Sequence, residues 1–316
     1  MKVVFCGTPQ FAVPTLQAVH AAGHEIALVV TRPDRPVGRK QIVEPTPVKQ
    51  VALTAGLLVT QPEKIRNNAE FRARLEAIVP DAIVVVAYGR IIPPWMLALP
   101  RLGCINLHGS LLPKYRGAAP IQWAVAMGET ITGNTTMLLE EGLDTGPILL
   151  QQEVEIGPEQ TSVDLFEILA ARGALLVVET LAGLADGEIE PRPQDHSQAS
   201  LAPILTRDDG RMDFAACTAM ELKNRWRGFQ LWPGAFTALD GKKLIVHRIE
   251  VIERANLHLP EAAEPGQLFV DQQRLIVCCA RGTGLEFLEL QLEGKKRTTA
   301  VEFLRGTHLA SGMRLG

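Results

Sequence analysis

One stretch near the start of the chain, KVVFCGTPQFAVPTLQAVHAAGHEIALVVT (2–31), decides the fold class. Its first apolar run, KVVFCG, has the length and composition of a buried strand. The segment that follows has helical spacing and ends at Gly23, and EIALVVT then predicts a second strand. A strand, a helix and another strand in this order form the unit from which parallel sheets are built.

The same alternation continues along the first half of the chain. Helical patterns occupy TPVKQVALTAGL (46–57) and AEFRARLEAI (69–78), and LLVTQ (57–61) lies between them. DAIVVVAYG (81–89) and CINLHG (104–109) are apolar runs that predict two more strands. We therefore predict an α/β fold with a doubly wound, mostly parallel, Rossmann-like sheet, whose ligands bind beyond the carboxyl ends of the strands.

The first turn of this sheet lacks the signature of a dinucleotide site. Gly7 is followed by Thr8 and Pro9, and no GxGxxG is present, which argues against a bound dinucleotide. The later stretch TRPDRPVGRKQIVEPTP (31–47) is too rich in Pro and Arg for regular structure. We predict a long loop there, on the side of the sheet where ligands bind.

The second half of the chain has a different pattern. Periodicity is lost from residue 189, and a predicted helix over MDFAACTAMELKNRWRGF (212–229) is followed by closely spaced strands with glycine-marked turns. KKRTTAVEFL (295–304) is the last of these predicted strands. Such spacing is typical of a small β-barrel of the OB type. The predicted domains are a catalytic domain over 1–188, a linker over 189–206 and a C-terminal β-barrel over 207–316.

Composition bounds the remaining possibilities. Of the 316 residues, 47% are hydrophobic and 21% are charged, as in an ordinary globular protein. No apolar run approaches the ~18 residues of a membrane span. The five cysteines are odd in number and show no CxxC spacing, so we expect buried thiols in a reducing, cytoplasmic setting and no metal site.

Charge is spread unevenly along the chain. The net charge is +7 over residues 1–118, −12 over 119–206 and +2 over 207–316. Basic stretches of this kind suit a polyanionic partner, although uneven solvated charge gives the same pattern.

Polar residues at the end of the strand CINLHG are candidates for catalytic groups. Alternation along a strand places Asn106 and His108 on the same side. An amide can stabilise a developing oxyanion, and an imidazole titrates near neutrality. Asp144 stands between glycines in GLDTG (142–146), a turn that can aim its carboxylate at the histidine. Together the three residues supply the groups for acyl transfer to an amine without a covalent enzyme intermediate.

Plainer interpretations of these residues are open at this point. His108 can be a buried imidazole with satisfied hydrogen bonds, and Asn106 and Asp144 can be turn residues. Ser110 follows in HGSLL, which is not the GxSxG of a serine hydrolase. We therefore assign Ser110 to the shape of the loop and not to nucleophilic attack.

Longer motifs carry a family resemblance. INLHGSLLPKYRGAAPIQWA (105–124), with GLDTG after it, resembles the formyltransferases that use 10-formyltetrahydrofolate. Within that superfamily the resemblance is to the methionyl-tRNA formyltransferases, through FCGTPQFAVP (5–14), RPDRPVGR (32–39), VVVAYGRIIP (84–93) and WPGAFT (232–237). These motifs run from the first strand into the C-terminal domain, so the resemblance covers essentially the whole chain.

The resemblance implies roles for the three polar residues. Asn106 and His108 would activate the formyl carbonyl and hold its oxyanion. Asp144 would orient or charge His108 and help to take a proton from the attacking amine. The formyl group would pass from folate N10 to the α-amine of methionine on initiator methionyl-tRNA, for translation initiation.

The resemblance also implies two sets of binding residues. The folate contacts would fall on Tyr88, Gly89, Arg90, Ile91, Ile92, Ser110, Leu111, Leu112, Pro113, Leu139, Glu140, Glu141 and Gly142. The tRNA contacts would fall on the 32–47 loop, the linker and the second domain, through Arg35, Arg39, Lys40, Arg207, Arg225 and Arg227. Arginine and lysine bind phosphates in a salt-dependent way, although solvated surface charge again looks the same in sequence.

The expected protein is thus a cytoplasmic monomer with folate and initiator methionyl-tRNA as partners, without a metal or a membrane. Two alternatives stay open. One is a folate-dependent enzyme that transfers the formyl group to a nucleotide or nucleotide-sugar amine, or that hydrolyses it; a glycinamide ribonucleotide transferase would not need the C-terminal domain. The other is a non-catalytic protein that binds RNA or folate.

Overall fold

The computed structural model describes residues 1–38, 42–253, 260, 262–307, 309 and 312–316. The chain forms two compact units. The first consists of Met1–Ile121, Ile131–Ile156 and Asp164–Pro203, and the second of Gln122–Thr130, Gly157–Val163 and Ile204–Gly316.

Helices and strands alternate through the first unit, and strands dominate the second. The helices are α1 (Val13–Ala21), α2 (Pro47–Thr54), α3 (Ala69–Ile78), α4 (Pro94–Leu97), α5 (Pro120–Ala126), α6 (Ser162–Asp186), α7 (Ala219–Gly228) and α8 (Ala300–Gly306). The strands are β1 (Lys2–Gly7), β2 (Glu25–Val30), β3 (Arg35–Val37), β4 (Ile42–Glu44), β5 (Val59–Thr60), β6 (Ala82–Val86), β7 (Cys104–His108), β8 (Arg116–Gly117), β9 (Ile131–Leu138), β10 (Ile148–Glu155), β11 (Leu201–Ala202), β12 (Ala235–Leu239), β13 (Lys242–Ile252), β14 (Leu268–Asp271), β15 (Arg274–Cys279), β16 (Thr283–Leu292) and β17 (Thr298–Thr299).

The first unit is built on a seven-stranded sheet with the order β10-β9-β7-β6-β1-β2-β5. The strands from β7 to β5 are parallel to one another, whereas β9 and β10 are antiparallel to their neighbours. The chain starts at β1, moves outward through β2 and β5, and returns to β6 on the other side of β1. This order confirms the predicted doubly wound, mostly parallel sheet, with its switch point between β1 and β6.

Both faces of this sheet are covered. Val3 and Phe5 of β1 belong to a buried cluster that includes residues of α1 and α6. Val4 and Cys6 belong to a second cluster, which includes residues of α3. Because neither face of these strands meets water, the strands read as continuous apolar runs in the sequence.

Helix α6 owes its apolar composition to this packing. By length and composition alone the helix is able to cross a membrane, with a mean hydropathy of 1.7, yet half of its most apolar stretch is buried inside the protein. Leu165, Leu169, Val177 and Leu181 are among its buried residues. A helix at the centre of a globular core has these properties.

The stretch 31–47 is more regular than we predicted. β3 and β4 pair in antiparallel fashion, with Arg35 opposite Glu44 and Pro36 opposite Val43. Pro36 is tolerated in β3 because each strand of a two-stranded sheet has one outer edge, and no N–H is needed to bond there. Next to β3, Asp34 accepts hydrogen bonds from Lys49 and Gln61. Both bonds lower the pKa of the Asp34 carboxyl group, and the bond from Lys49 has the larger effect.

Residues 189–203, which we predicted as part of a linker over 189–206, are bound to the first unit. Arg192 and Ile148 exchange two backbone hydrogen bonds of 2.8 Å. β11 pairs in parallel with β8. These pairings satisfy backbone groups that a solvated linker would leave to water, and the division between the units falls between Pro203 and Ile204.

The second unit has an antiparallel sheet with the order β12-β13-β16-β15-β14, and β17 pairs with β16. Its core combines inward-facing strand residues with Leu222 of α7 and Phe303 of α8. The prediction of a separate β-rich domain is confirmed. Within the described residues no ladder joins the edge strands β12 and β14, so the predicted barrel is an open sheet at that point.

Two local predictions in this unit were wrong. The stretch KKRTTAVEFL (295–304) was predicted as a strand, but α8 begins at Ala300, because Thr299 and Glu302 form a capping box. The helix predicted over 212–229 begins only at Ala219, where Thr218 and Glu221 form the same motif. In both cases a T-x-x-E signature marked the true start of the helix.

The cysteines lead to a prediction about reactivity. Cys6, Cys104, Cys278 and Cys279 are buried, whereas Cys217 is only partly so. Burial raises the pKa of Cys104 and of Cys279 to about 12. Since the thiolate is the reactive form, iodoacetamide at about pH 8 should label Cys217 first and the buried thiols only after unfolding. Timed labelling with peptide mass spectrometry checks this order, and equally fast labelling of Cys104 would contradict it.

Candidate active site

Strand β7 carries Asn106 and His108 on the same side of the sheet as Cys104. That side is the one covered by the buried cluster of Tyr88, Ile92 and Met96. Asn106 is half-buried, and its amide forms no hydrogen bond with any residue that the structure describes. An amide N–H in this position is left to donate to a ligand.

The ring of His108 is buried and its orientation is fixed at one nitrogen. Nε2 lies 2.9 Å from the carbonyl oxygen of Tyr115. Because a carbonyl oxygen only accepts, Nε2 carries the hydrogen of the neutral ring, and Nδ1 is the nitrogen that gains or releases a proton. Nδ1 lies 3.7 Å from Oδ2 of Asp144. The carboxylate therefore attracts the ring when Nδ1 is protonated.

Asp144 is held in an unusual backbone conformation. Its φ is +49°, in the left-handed region that side chains other than glycine rarely adopt. Its Oδ2 accepts a 2.8 Å hydrogen bond from the backbone N–H of Gly117 on β8. The predicted meeting of Asp144 with His108 is thus observed.

The glycines around Asp144 allow the loop to fold tightly. A Cβ on Gly142 would lie 2.0 Å from Oγ1 of Thr145, and one on Gly146 would lie 1.8 Å from the backbone oxygen of Leu138. Neither position leaves room for a side chain, so the loop needs both glycines to bring the carboxylate over the strand end.

The first predicted folate segment, 88–92, follows β6 at its carboxyl end. Tyr88 and Ile92 are buried in the cluster on the Asn106 side, whereas Ile91 is 85% exposed. Gly89 has a φ of +74°, which the turn requires. Arg90 donates to the backbone oxygen of Glu63. The side chains of Tyr88 and Ile92 are therefore core residues, and binding by this segment would rest on its backbone and on Ile91.

The other two predicted folate segments meet this one through Leu139. Leu139 packs against the cluster that contains Tyr88 and also against the cluster of Leu112, Met137 and Ile148. Glu140, Glu141 and Gly142 are exposed, Leu111 and Pro113 are partly exposed, and Leu112 is buried. The three segments thus border one region of the first unit.

Ser110 has the structural role that the sequence indicated. It is fully buried, and its hydroxyl donates a 2.6 Å hydrogen bond to the backbone oxygen of Lys114. Its own carbonyl oxygen accepts from Oγ1 of Thr135. The side chain of Ser110 therefore shapes the loop and is not available as a folate contact.

The predicted tRNA contacts differ in their surroundings. Arg35 on β3 and Arg207 are exposed. Arg225 is half-buried, donates to the backbone oxygen of Asp209 and lies 5.2 Å from the ring centre of Phe229. Arg39 and Lys40 lie outside the described residues.

Arg227 is a correction to the prediction. It is 5% exposed, and its guanidinium donates to the backbone oxygens of Gly157 and Gln160 and to Oδ1 of Asn224. Since the side chain is buried and both Nη atoms donate inside the protein, Arg227 cannot present its guanidinium to a phosphate. A buried arginine in a run of basic residues looks the same in sequence as an exposed one.

Arg227→Ala is therefore expected to lower the free energy of unfolding, by about 3 kcal/mol, because it leaves buried carbonyls unpaired. Its effect on tRNA affinity should be small as long as the protein is folded. Arg207→Ala should do the reverse, leaving stability unchanged and lowering the salt dependence of tRNA binding by about one unit of slope. Urea unfolding and tRNA binding at several salt concentrations test both variants. A salt slope lowered by Arg227→Ala would contradict the structural assignment.

Family profiles match most of the chain. The Formyl transferase family profile matches residues 1–181, and the profile of the Formyl transferase C-terminal domain matches residues 204–308. The chain belongs to the formyl transferase family. The family resemblance inferred from the motifs is thereby confirmed.

Relatives in the family match over their full length. The chain is 64% identical to the methionyl-tRNA formyltransferase of Acidobacterium capsulatum, over 100% of both chains. It is 54% identical to the methionyl-tRNA formyltransferase of Koribacter versatilis, over 100% of this chain and 99% of that one.

Solved structures support the fold alone. An N-formyltransferase from Helicobacter canadensis, solved with folinic acid and dTDP-3-aminofucose, has a TM-score of 0.65 at 17% identity and covers 91% of this chain and 98% of its own. Glycinamide ribonucleotide transformylase 1 from Symbiobacterium toebii has a TM-score of 0.51 at 22% identity. That match covers 62% of this chain and 94% of the transformylase.

Proposed function

We propose that this formyl transferase transfers the formyl group of 10-formyltetrahydrofolate to the α-amine of methionine on initiator methionyl-tRNA. The observation that carries the proposal is the meeting of three groups at one strand end: the Asn106 amide, which has no partner among the described residues, the Nδ1 of His108 and the Asp144 carboxylate. The choice of acceptor is supported by the full-length identity to proteins named methionyl-tRNA formyltransferase.

The residues present fit a carbonyl substrate. A half-buried amide donor without a partner, such as that of Asn106, suits a carbonyl oxygen on which negative charge develops. When bound, 10-formyltetrahydrofolate supplies a formyl group on N10 that an amine can accept. We assign its contacts to the backbone of 88–92, to Leu111 and Pro113, and to residues 139–142, which border the same region.

The chain's own groups divide the work as follows. Asn106 donates to the formyl oxygen, and protonated His108 can donate to it from Nδ1. The attacking ammonium loses one proton to Nδ1 of His108 before it becomes a nucleophile, and Asp144 stabilises the ring charged in this way. The amine loses a second proton once the new C–N bond has formed; as the bond from the formyl carbon to N10 breaks, His108 returns one proton to N10, and the other goes to water. His108 and Asp144 therefore act as a coupled pair. No residue of the chain forms a covalent bond to the formyl group.

For tRNA we propose contacts from Arg35, Arg39, Lys40, Arg207 and Arg225. A feature that the sequence did not indicate supports contacts from the second unit. Trp232 is 55% exposed, in a loop that packs closely on the turn of Arg207–Gly210: a Cβ on Gly210 would lie 2.0 Å from the backbone oxygen of Gly234. An exposed indole can stack on an unpaired base.

We further propose that the enzyme works as a monomer in the cytoplasm, where initiator tRNA is charged. The three catalytic candidates come from one chain, which supports a site that needs no second copy.

The proposal is tested by offering the protein three acceptors with 10-formyltetrahydrofolate: methionyl initiator tRNA, methionyl elongator tRNA and a nucleotide-linked amino sugar. Formylmethionine on the initiator alone is the expected result. Formylation of the amino sugar with none on either tRNA would overturn the proposed acceptor. Loss of formyl donor without a formylated product would indicate hydrolysis instead.

A further inference from the structure

A buried glutamine outside the catalytic trio holds the loop that carries Asp144. Gln194 is 6% exposed and lies in the segment 189–203. Its Nε2 donates hydrogen bonds of 2.9 Å to the backbone oxygen of Asp144 and of 2.7 Å to the backbone oxygen of Gly146. Both hydrogens of the amide are therefore used on the catalytic loop.

Arg116 fixes the orientation of this amide. Its Nε and Nη2 lie 3.1 and 2.6 Å from Oε1 of Gln194. A guanidinium only donates, so the atom facing it must be the oxygen, and the NH₂ group must face the two carbonyls. Nη2 of Arg116 also lies 3.0 Å from Nδ1 of His196. In the hydrogen bonds from Arg116 to Gln194 and from Gln194 to the loop, every donor therefore faces an acceptor.

The loop needs such a support. Asp144 has a positive φ, a strained conformation that a residue with a side chain keeps only when its surroundings hold it there. Gln194 binds the carbonyls on both sides of the Thr145 backbone. Gly117, the residue after Arg116, binds the Asp144 carboxylate itself. Gln194 thus holds the backbone of the Asp144 loop, and Gly117, next to Arg116, holds the Asp144 carboxylate.

We propose that Gln194 is a positioning residue for Asp144: with Arg116 behind it, it holds the carboxylate facing Nδ1 of His108. The expected effect of Gln194 on catalysis rests on the proposed function. Gln194 touches neither the substrate nor the reacting atoms, and it acts only through Asp144.

The test compares Gln194→Glu and Gln194→Met with Gln198→Glu. A glutamate would turn an oxygen toward the two carbonyls, and a methionine would remove the hydrogen bonds without adding charge. Gln198 is an exposed residue of the same segment, and among the described residues its side chain binds Asp195 alone, so Gln198→Glu is the matched control. The use of two variants keeps the test decisive if one of them fails to fold.

The first measurement is made without any substrate. Amide hydrogen exchange at Gly117 reports its bond to the Asp144 carboxylate. It should speed up at least about tenfold in both Gln194 variants. The amides of Arg116 and Ala119, which bind the backbone oxygens of Ser200 and Ala202, should keep their protection. Unchanged exchange at Gly117 would overturn the inference, whatever the acceptor of the enzyme proves to be.

The second measurement separates positioning from a general structural role. In the Gln194 variants kcat should fall about 100-fold while KM for methionyl-tRNA stays unchanged. In an Asp144→Asn background the same substitutions should lower kcat by less than about threefold, because the carboxylate charge that Gln194 positions is absent. An equal loss in both backgrounds would overturn the inference. A wild-type protein that formylates no tRNA would overturn the proposed function alone, since the exchange result stands apart from it.

Discussion

Asp144→Asn is expected to lower the rate of formyl transfer by about 10³-fold while leaving the melting temperature nearly unchanged. The amide keeps an oxygen that can accept the 2.8 Å hydrogen bond from Gly117. It loses the negative charge that lies 3.7 Å from Nδ1 of His108. The variant therefore removes charge while it preserves the shape of the site. Single-turnover formylation and a thermal melt measure the two effects.

Asp186→Asn is the matched control for this variant, because Asp186 is exposed at the end of α6. It should formylate at the wild-type rate. If Asp144→Asn kept more than about a tenth of the activity, the carboxylate charge would have no major part in the reaction. A non-catalytic RNA- or folate-binding protein would lose no function in either variant.

Gly146→Ala is expected to have the second large effect. Its new Cβ would lie 1.8 Å from the backbone oxygen of Leu138, and a backbone atom cannot rotate away as a side chain would. Relief requires the 142–146 turn to move, which takes the Asp144 carboxylate away from His108. We expect a loss of activity of about 100-fold and a loss of unfolding free energy of about 3 kcal/mol.

The control for this substitution is Gly306→Ala. Gly306 ends α8 and has no left-handed φ, and a Cβ there would meet no atom of the described residues within 4 Å. It should leave activity and stability close to wild type. Activity assays and urea unfolding compare the two variants, and a fully active Gly146→Ala would show that the loop has more room than the structure gives it.

The first sheet was predictable because its strands are buried on both faces. Val4 and Cys6 face one cluster and Val3 and Phe5 the other, so β1 reads as a plain apolar run. The T-x-x-E motifs at Thr218 and Thr299 were equally readable from the sequence. The apolar residues around both motifs favour a longer helix at 212–229 and a strand at 295–304, whereas the capping box alone marks where each helix begins.

The site was predictable only in part, for a physical reason. Asn106 and His108 share one strand, so alternation alone places them together. The support of Asp144 depends instead on contacts between residues 50 to 78 positions apart, from Gln194 to Asp144 and to Arg116. A single polar residue in an aperiodic segment gives no sign of such a partner, and that segment looked like a linker. Burial of Arg227 was hidden in the same way.

The measurement that tests the central claim most directly is a rapid-quench single turnover with a radiolabelled formyl group on the folate. Enzyme in excess would be mixed with labelled 10-formyltetrahydrofolate and methionyl initiator tRNA, and the label in protein, tRNA and formate would be followed over time. Direct transfer by Asn106, His108 and Asp144 predicts that the label moves straight into formylmethionyl-tRNA, with none on the protein at any time. Label that first accumulates on the protein, or that leaves as formate while the tRNA stays unformylated, would contradict the account.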